Sequence, residues 1–74
     1  MTINDLCERY GHLVWAQDAL RDFLIDQPER YRSRPSKRVL SEGFYEQIDW
    51  LVHQCEPPYT LEQIDDYFVD CLAP

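Results

Sequence analysis

The sequence predicts a small all-α domain of three helices, a long N-terminal one followed by two shorter ones. Apolar residues recur at helical spacing in three blocks. Prolines at positions 28, 35, 57 and 58 separate the blocks. Helix-capping residues stand at the head of the first and last blocks. With 74 residues the chain makes one domain at most. A domain this small buries only about 60% of its unfolded surface, so it relies on tight packing or on a partner.

The first helix is expected over residues 3–26, about 36 Å long at 1.5 Å per residue. Thr2, followed three residues later by Asp5, resembles a capped start, and an acid suits the first turn. Ile3, Leu6, Tyr10, Leu13, Leu20 and Leu24 then repeat at steps of three, four and seven. Pro28 stops the helix near Asp26. Gly11 costs about 1 kcal/mol relative to Ala inside a helix and could split it. The apolar phase continues across Gly11, which favours one helix. Residues 28–36, PERYRSRPS, break periodicity and contain no aliphatic apolar residue, so they read as a connector.

Ser36 can cap a second helix over residues 37–55, where Leu40, Phe44, Ile48, Leu51, Val52 and Cys55 share a face. Pro57–Pro58 ends it. Thr60 and Gln63 form a capping box for a third helix over residues 61–72, with Leu61, Ile64, Phe68, Cys71 and Leu72 on its apolar face.

The charges divide the chain. Five of its seven Lys/Arg residues fall at positions 30–38, and eight acids follow Arg38 with no further base. The net charge of -7 opposes binding to a nucleic-acid backbone outside that basic stretch. Three widely spaced cysteines, an odd number without a Cys-x-x-Cys pair, read as small buried residues in a reducing compartment. The first residues lack a basic start and an apolar core, and no apolar run approaches the roughly 20 residues that span a bilayer. The expectation is a cytoplasmic protein with no membrane partner. Catalysis has little support. His12 and His53 stand alone, no ligand pair has zinc spacing, and Gly11 and Gly43 make no phosphate loop. No enzyme activity, cofactor or metal is therefore expected.

Two candidate surfaces remain. On a helical wheel Trp15 lies opposite the Leu6, Leu13, Leu20 and Leu24 stripe, in a second strip with His12, Ala16, Ala19 and Phe23. Trp50 also falls off its helix's stripe, near Val39, Gly43 and Gln54. Such residues can anchor a partner, or can widen the core face of a helix with two neighbours. Gln17 sits within the first stripe, where one polar side chain can fix register. Glu62, Asp66 and Asp70 form an i, i+4, i+8 row that suits a basic partner, although such a row can also be a solvated face. The alternative surface is the connector: Arg30, Arg32, Arg34, Lys37 and Arg38 can grip phosphates, and Tyr31 can stack on a base.

Residues 2–11 resemble the opening helix and turn of helix-turn-helix regulators. The resemblance would make residues 12–26 the recognition helix. Asp18, Asp22 and Asp26 against the single Arg21 give that segment the wrong sign for a major groove.

The expected function is a non-enzymatic protein-binding module, an accessory, adaptor or inhibitor-like protein. Trp15, Phe23 and Trp50 would anchor a basic macromolecule, and Glu62, Asp66 and Asp70 would guide it. Self-association through helix 1 is a further expectation, because its second strip needs cover. The alternative is a nucleic-acid-associated regulator acting through residues 30–38.

Overall fold

The computed structural model describes residues 1–26 and 35–72. These form five helices and no strand: α1 (Ile3–Tyr10), α2 (Val14–Ile25), α3 (Lys37–Ser41), α4 (Phe44–His53) and α5 (Leu61–Leu72). The all-α class is as the sequence predicts. The three-helix arrangement with one long N-terminal helix is not.

The first correction is at Gly11. The capping box is present: the Asp5 N–H donates to Thr2 Oγ1 at 3.1 Å, and the Thr2 N–H to Asp5 Oδ2 at 2.8 Å. The helix runs only to Tyr10. The Gly11 N–H closes onto the Cys7 carbonyl at 2.8 Å, and the Leu13 N–H turns back to the Tyr10 carbonyl at 3.0 Å. Leu13 is then extended, with φ -97° and ψ 123°, and α2 sets off in a new direction. The physical reason is global. A straight rod of about 36 Å overruns a body whose principal extents are 29 × 24 × 21 Å. Breaking the rod lets Leu6 and Tyr10 of α1 reach the same core as Leu20 and Leu24 of α2.

The second correction is at Glu42 and Gly43. Both are extended, with ψ 171° and 174°, so the helix expected over residues 37–55 is two helices, α3 and α4. One buried side chain holds this joint. The Gln47 amide donates from Nε2 toward the carbonyls of Val39 (3.3 Å), Leu40 (3.2 Å) and Glu42 (3.0 Å). Val39 and Leu40 lie in the last turn of α3 and Glu42 caps it; the Val39 carbonyl also accepts from the Glu42 N–H at 3.2 Å.

The third helix is where the sequence puts it. The Gln63 N–H donates to Thr60 Oγ1 at 3.1 Å, and the Thr60 N–H to Gln63 Oε1 at 2.8 Å. The preceding loop, which contains a cis Glu56–Pro57 peptide, is drawn back by the Tyr59 N–H donating to the Leu51 carbonyl at 2.9 Å.

The core gathers Leu6, Ala16, Leu20, Leu24, Ile48, Leu51 and Phe68, all fully buried, with Tyr10, Val39, Cys55 and Ile64 beside them. Each large side chain contributes about 1.5–3 kcal/mol by leaving water. Phe68 is the hub. Its ring lies 4.6 Å from Tyr10, 5.8 Å from Phe44, 5.9 Å from Tyr67 and 6.4 Å from Trp15. It thereby joins α1, α2 and α4 to α5.

Candidate functional site

α2 and α5 pack against each other, and these two helices carry five of the six residues singled out for protein binding: Trp15, Phe23, Glu62, Asp66 and Asp70. On α2, Trp15 and Phe23 are half-buried. Trp15 stands edge-on to Tyr10 at 6.2 Å and to Phe68 at 6.4 Å. Phe23 packs against Tyr67 at 4.6 Å and Tyr59 at 5.1 Å. Ala16 is fully buried and Ala19 half-buried, so the second strip of the first helical segment is largely covered by the chain itself. That removes the reason for expecting a second copy on this strip. Gln17, placed in the apolar stripe by its spacing, is instead exposed and donates to the Gly11 carbonyl at 2.7 Å.

On α5, Glu62, Asp66 and Asp70 are exposed, as their spacing suggests. Asp65 beside them turns inward. It accepts from the Tyr10 hydroxyl at 2.8 Å and from Arg9 Nη1 at 3.3 Å, tying α1 to α5. Burial, and then this bond to Asp65, push the Tyr10 phenol above its usual range.

Two features of this helix pair lay outside the expectation. Tyr67, off the α5 stripe, spans to α2, where its hydroxyl donates to the Ala19 carbonyl at 3.0 Å. Burial pushes its phenol up to about 12, with Cys71 and then the carboxylates of Asp22 and Asp26 adding to the effect. Those carboxylates belong to a second row, Asp18, Asp22 and Asp26, all exposed. The row repeats the i, i+4, i+8 spacing of Glu62, Asp66 and Asp70, a signal present in the sequence. Each row places carboxylates about 6 Å apart along its helix.

Trp50 belongs to another face. Half-buried, it lines a groove of about 370 Å3 between α3 and α4 with Arg38, Glu42, Glu46 and Asp49. It does not join Trp15 and Phe23. Of the alternative, basic surface, Arg30, Tyr31, Arg32 and Arg34 lie outside the described residues. Lys37 and Arg38 open α3. Arg38 Nε donates to Glu42 Oε1 at 3.0 Å, an exposed i, i+4 pair worth about 0.3–0.5 kcal/mol.

The chemistry of the remaining polar groups is modest. Burial and then the Glu46 carboxylate raise the Cys7 thiol, which keeps it protonated and slow as a nucleophile. Cys55 is buried and Cys71 exposed. His53 Nδ1 lies 2.9 Å from Asp49 Oδ1 on the surface of α4. Among the described residues no group of three or more His, Cys, Asp or Glu is arranged to hold a metal ion. None of the described helices is long and apolar enough to cross a membrane.

No protein-family model, curated protein or solved structure matches this chain.

Proposed function

We propose that this protein is a non-catalytic binding module that takes a basic protein segment on the flank shared by α2 and α5. One observation supports the reading above the others: half-buried aromatic rings, Trp15 and Phe23, stand where α2 packs on α5, and each of these two helices also carries a row of exposed carboxylates. The rows carry Asp22 and Asp26 on α2, and Glu62, Asp66 and Asp70 on α5. Carboxylates raise the local concentration of a cationic partner and set its approach. The rings offer apolar contact and a face for a Lys or Arg side chain.

The roles differ from those the wheel alone suggests. Trp15 and Phe23 present edges of rings whose other sides are held by Tyr10, Phe68, Tyr59 and Tyr67. Anchors held in this way lose little side-chain freedom on binding. Trp50 stands outside this surface, and the acids of α2 join those of α5 as guides.

The test is calorimetric titration with a Lys/Arg-rich peptide, against a single-stranded oligonucleotide as counter-probe. The wild type should bind the peptide. Neutralising Asp22, Asp26, Asp66 and Asp70 to Asn should weaken binding about tenfold, since exposed pairs are worth about 0.2–1 kcal/mol each. All four side chains are exposed, so the fold should survive the change. Unchanged peptide affinity would refute the proposal. Binding of the oligonucleotide alone would move the function to the basic stretch at residues 30–38.

A further inference from the structure

We infer that α2 pairs with the α2 of a second copy of this chain, antiparallel and across a two-fold axis, through a narrow strip of Val14, Asp18, Arg21 and Ile25. The strip lies away from the buried Ala16, Leu20 and Leu24, with Arg21 on its edge toward α3, beside a groove it lines with Lys37, Leu40 and Ser41. Val14 is 71% and Ile25 53% exposed, two of the most exposed large apolar residues of the molecule. Asp18 and Arg21 are also exposed, and neither forms a salt bridge with another described residue.

The spacing is that of a helix–helix seam. Steps of four, three and four residues keep side chains on one line, as the core positions of a coiled coil do. At about 100° per residue the four positions fall within about 60° of each other. Apolar residues end the strip and opposite charges fill its centre.

That order of residues selects both the occupant and its direction. Facing positions in an antiparallel two-fold pair share one sum of residue numbers. Val14 with the partner's Ile25, and Asp18 with the partner's Arg21, meet this condition together, with the axis passing between Ala19 and Leu20. Each contact occurs twice. A parallel pair would instead set Asp18 on the partner's Asp18, and Arg21 on the partner's Arg21, both repulsive. The antiparallel pair also opposes the two helix dipoles. α2 has no acid in its first turn, no base in its last, and no side-chain cap from Leu13. Asp22 and Asp26, at the end where the dipole disfavours them, lie beside the positive end of the partner helix.

The strip is about 16 Å long at 1.5 Å per residue. It buries well under the roughly 1,200 Å2 of a stable complex, which makes a weak, rapidly exchanging dimer. The net charge of -7 on each copy acts in the same direction.

Charge exchange tests the register. Sedimentation velocity over a concentration series is run on the wild type, on Asp18→Arg, on Arg21→Asp and on an equimolar mixture of the two variants. The Asp18→Arg chain carries two cations on the strip and the Arg21→Asp chain two anions. Each repels itself and complements the other. The wild type should associate as concentration rises, each variant alone should associate at least about tenfold more weakly, and the mixture should recover the wild-type strength. Recovery in the mixture also shows that both variants are folded. A wild type that stays monomeric at millimolar concentration would overturn the inference. So would single variants that associate as the wild type does, or a mixture that fails to recover.

Discussion

A glutamine holds the joint between α1 and α2 and another the joint between α3 and α4, but the two joints are not equal. At the joint between α1 and α2 the Gln17 amide makes one bond, to the Gly11 carbonyl at 2.7 Å, from an exposed position. At the joint between α3 and α4 the Gln47 amide reaches three carbonyls from a side chain only 4% exposed. Water can replace the first bond and has little access to the second. The glycines reverse the ranking. A Cβ on Gly11 would stand 2.7 Å from the Cys7 carbonyl oxygen, a backbone atom held by the helix. A Cβ on Gly43 would meet only the mobile end of Glu46, at 2.9 Å. The first joint is therefore fixed by backbone sterics and the second by a buried amide.

Four substitutions separate these mechanisms, each read by chemical denaturation. Gln47→Ala should cost the most, about 2–3 kcal/mol, because it removes a buried amide that donates to the Leu40 and Glu42 carbonyls. A loss under about 0.5 kcal/mol would mean that water reaches the α3 end. Gly11→Ala should follow with a loss of about 1 kcal/mol, opposite in sign to the usual gain from replacing glycine in a helix. Stabilisation there would show that the turn relaxes readily. Gln17→Ala should cost about 0.5 kcal/mol, as expected for a solvent-accessible bond. Gly43→Ala should change stability least, since the weaker N-cap offsets the lower entropy of the unfolded chain. A large loss at Gly43 would erase the contrast between the joints.

The same contrast explains what the sequence could reveal. The bounds of α5 were legible because its capping box is local; of the apolar face expected there Ile64 and Phe68 are buried, but Cys71 and Leu72, in the last turn, are exposed. The joints were not, because the helical period runs on through Gly11 and through Glu42–Gly43. At Gly11 the shape of the whole breaks the helix, and at Glu42–Gly43 a side chain from the next helix holds the break; no window of sequence contains either. Gln47 did leave a sign: it stands three residues after Phe44 and four before Leu51, a polar residue on an apolar face. The acid row of α2 was equally visible in its spacing, yet only the fold shows that Asp22 and Asp26 act on Tyr67 of α5. The tryptophans show the limit of a helical wheel. It places Trp15 and Trp50 off their stripes, but it cannot say that α5 lies against one while the other lines a groove beside α3.

That difference between the tryptophans gives the most direct test of the proposed binding surface. Each carries one indole N–H, and the two give separate resonances in a proton–nitrogen spectrum. During titration with the Lys/Arg-rich peptide, the Trp15 indole and the amides of α2 and α5 should shift together and saturably, while the Trp50 indole stays in place. Movement of the Trp50 indole without that of Trp15, or shifts confined to residues 30–38, would contradict the account.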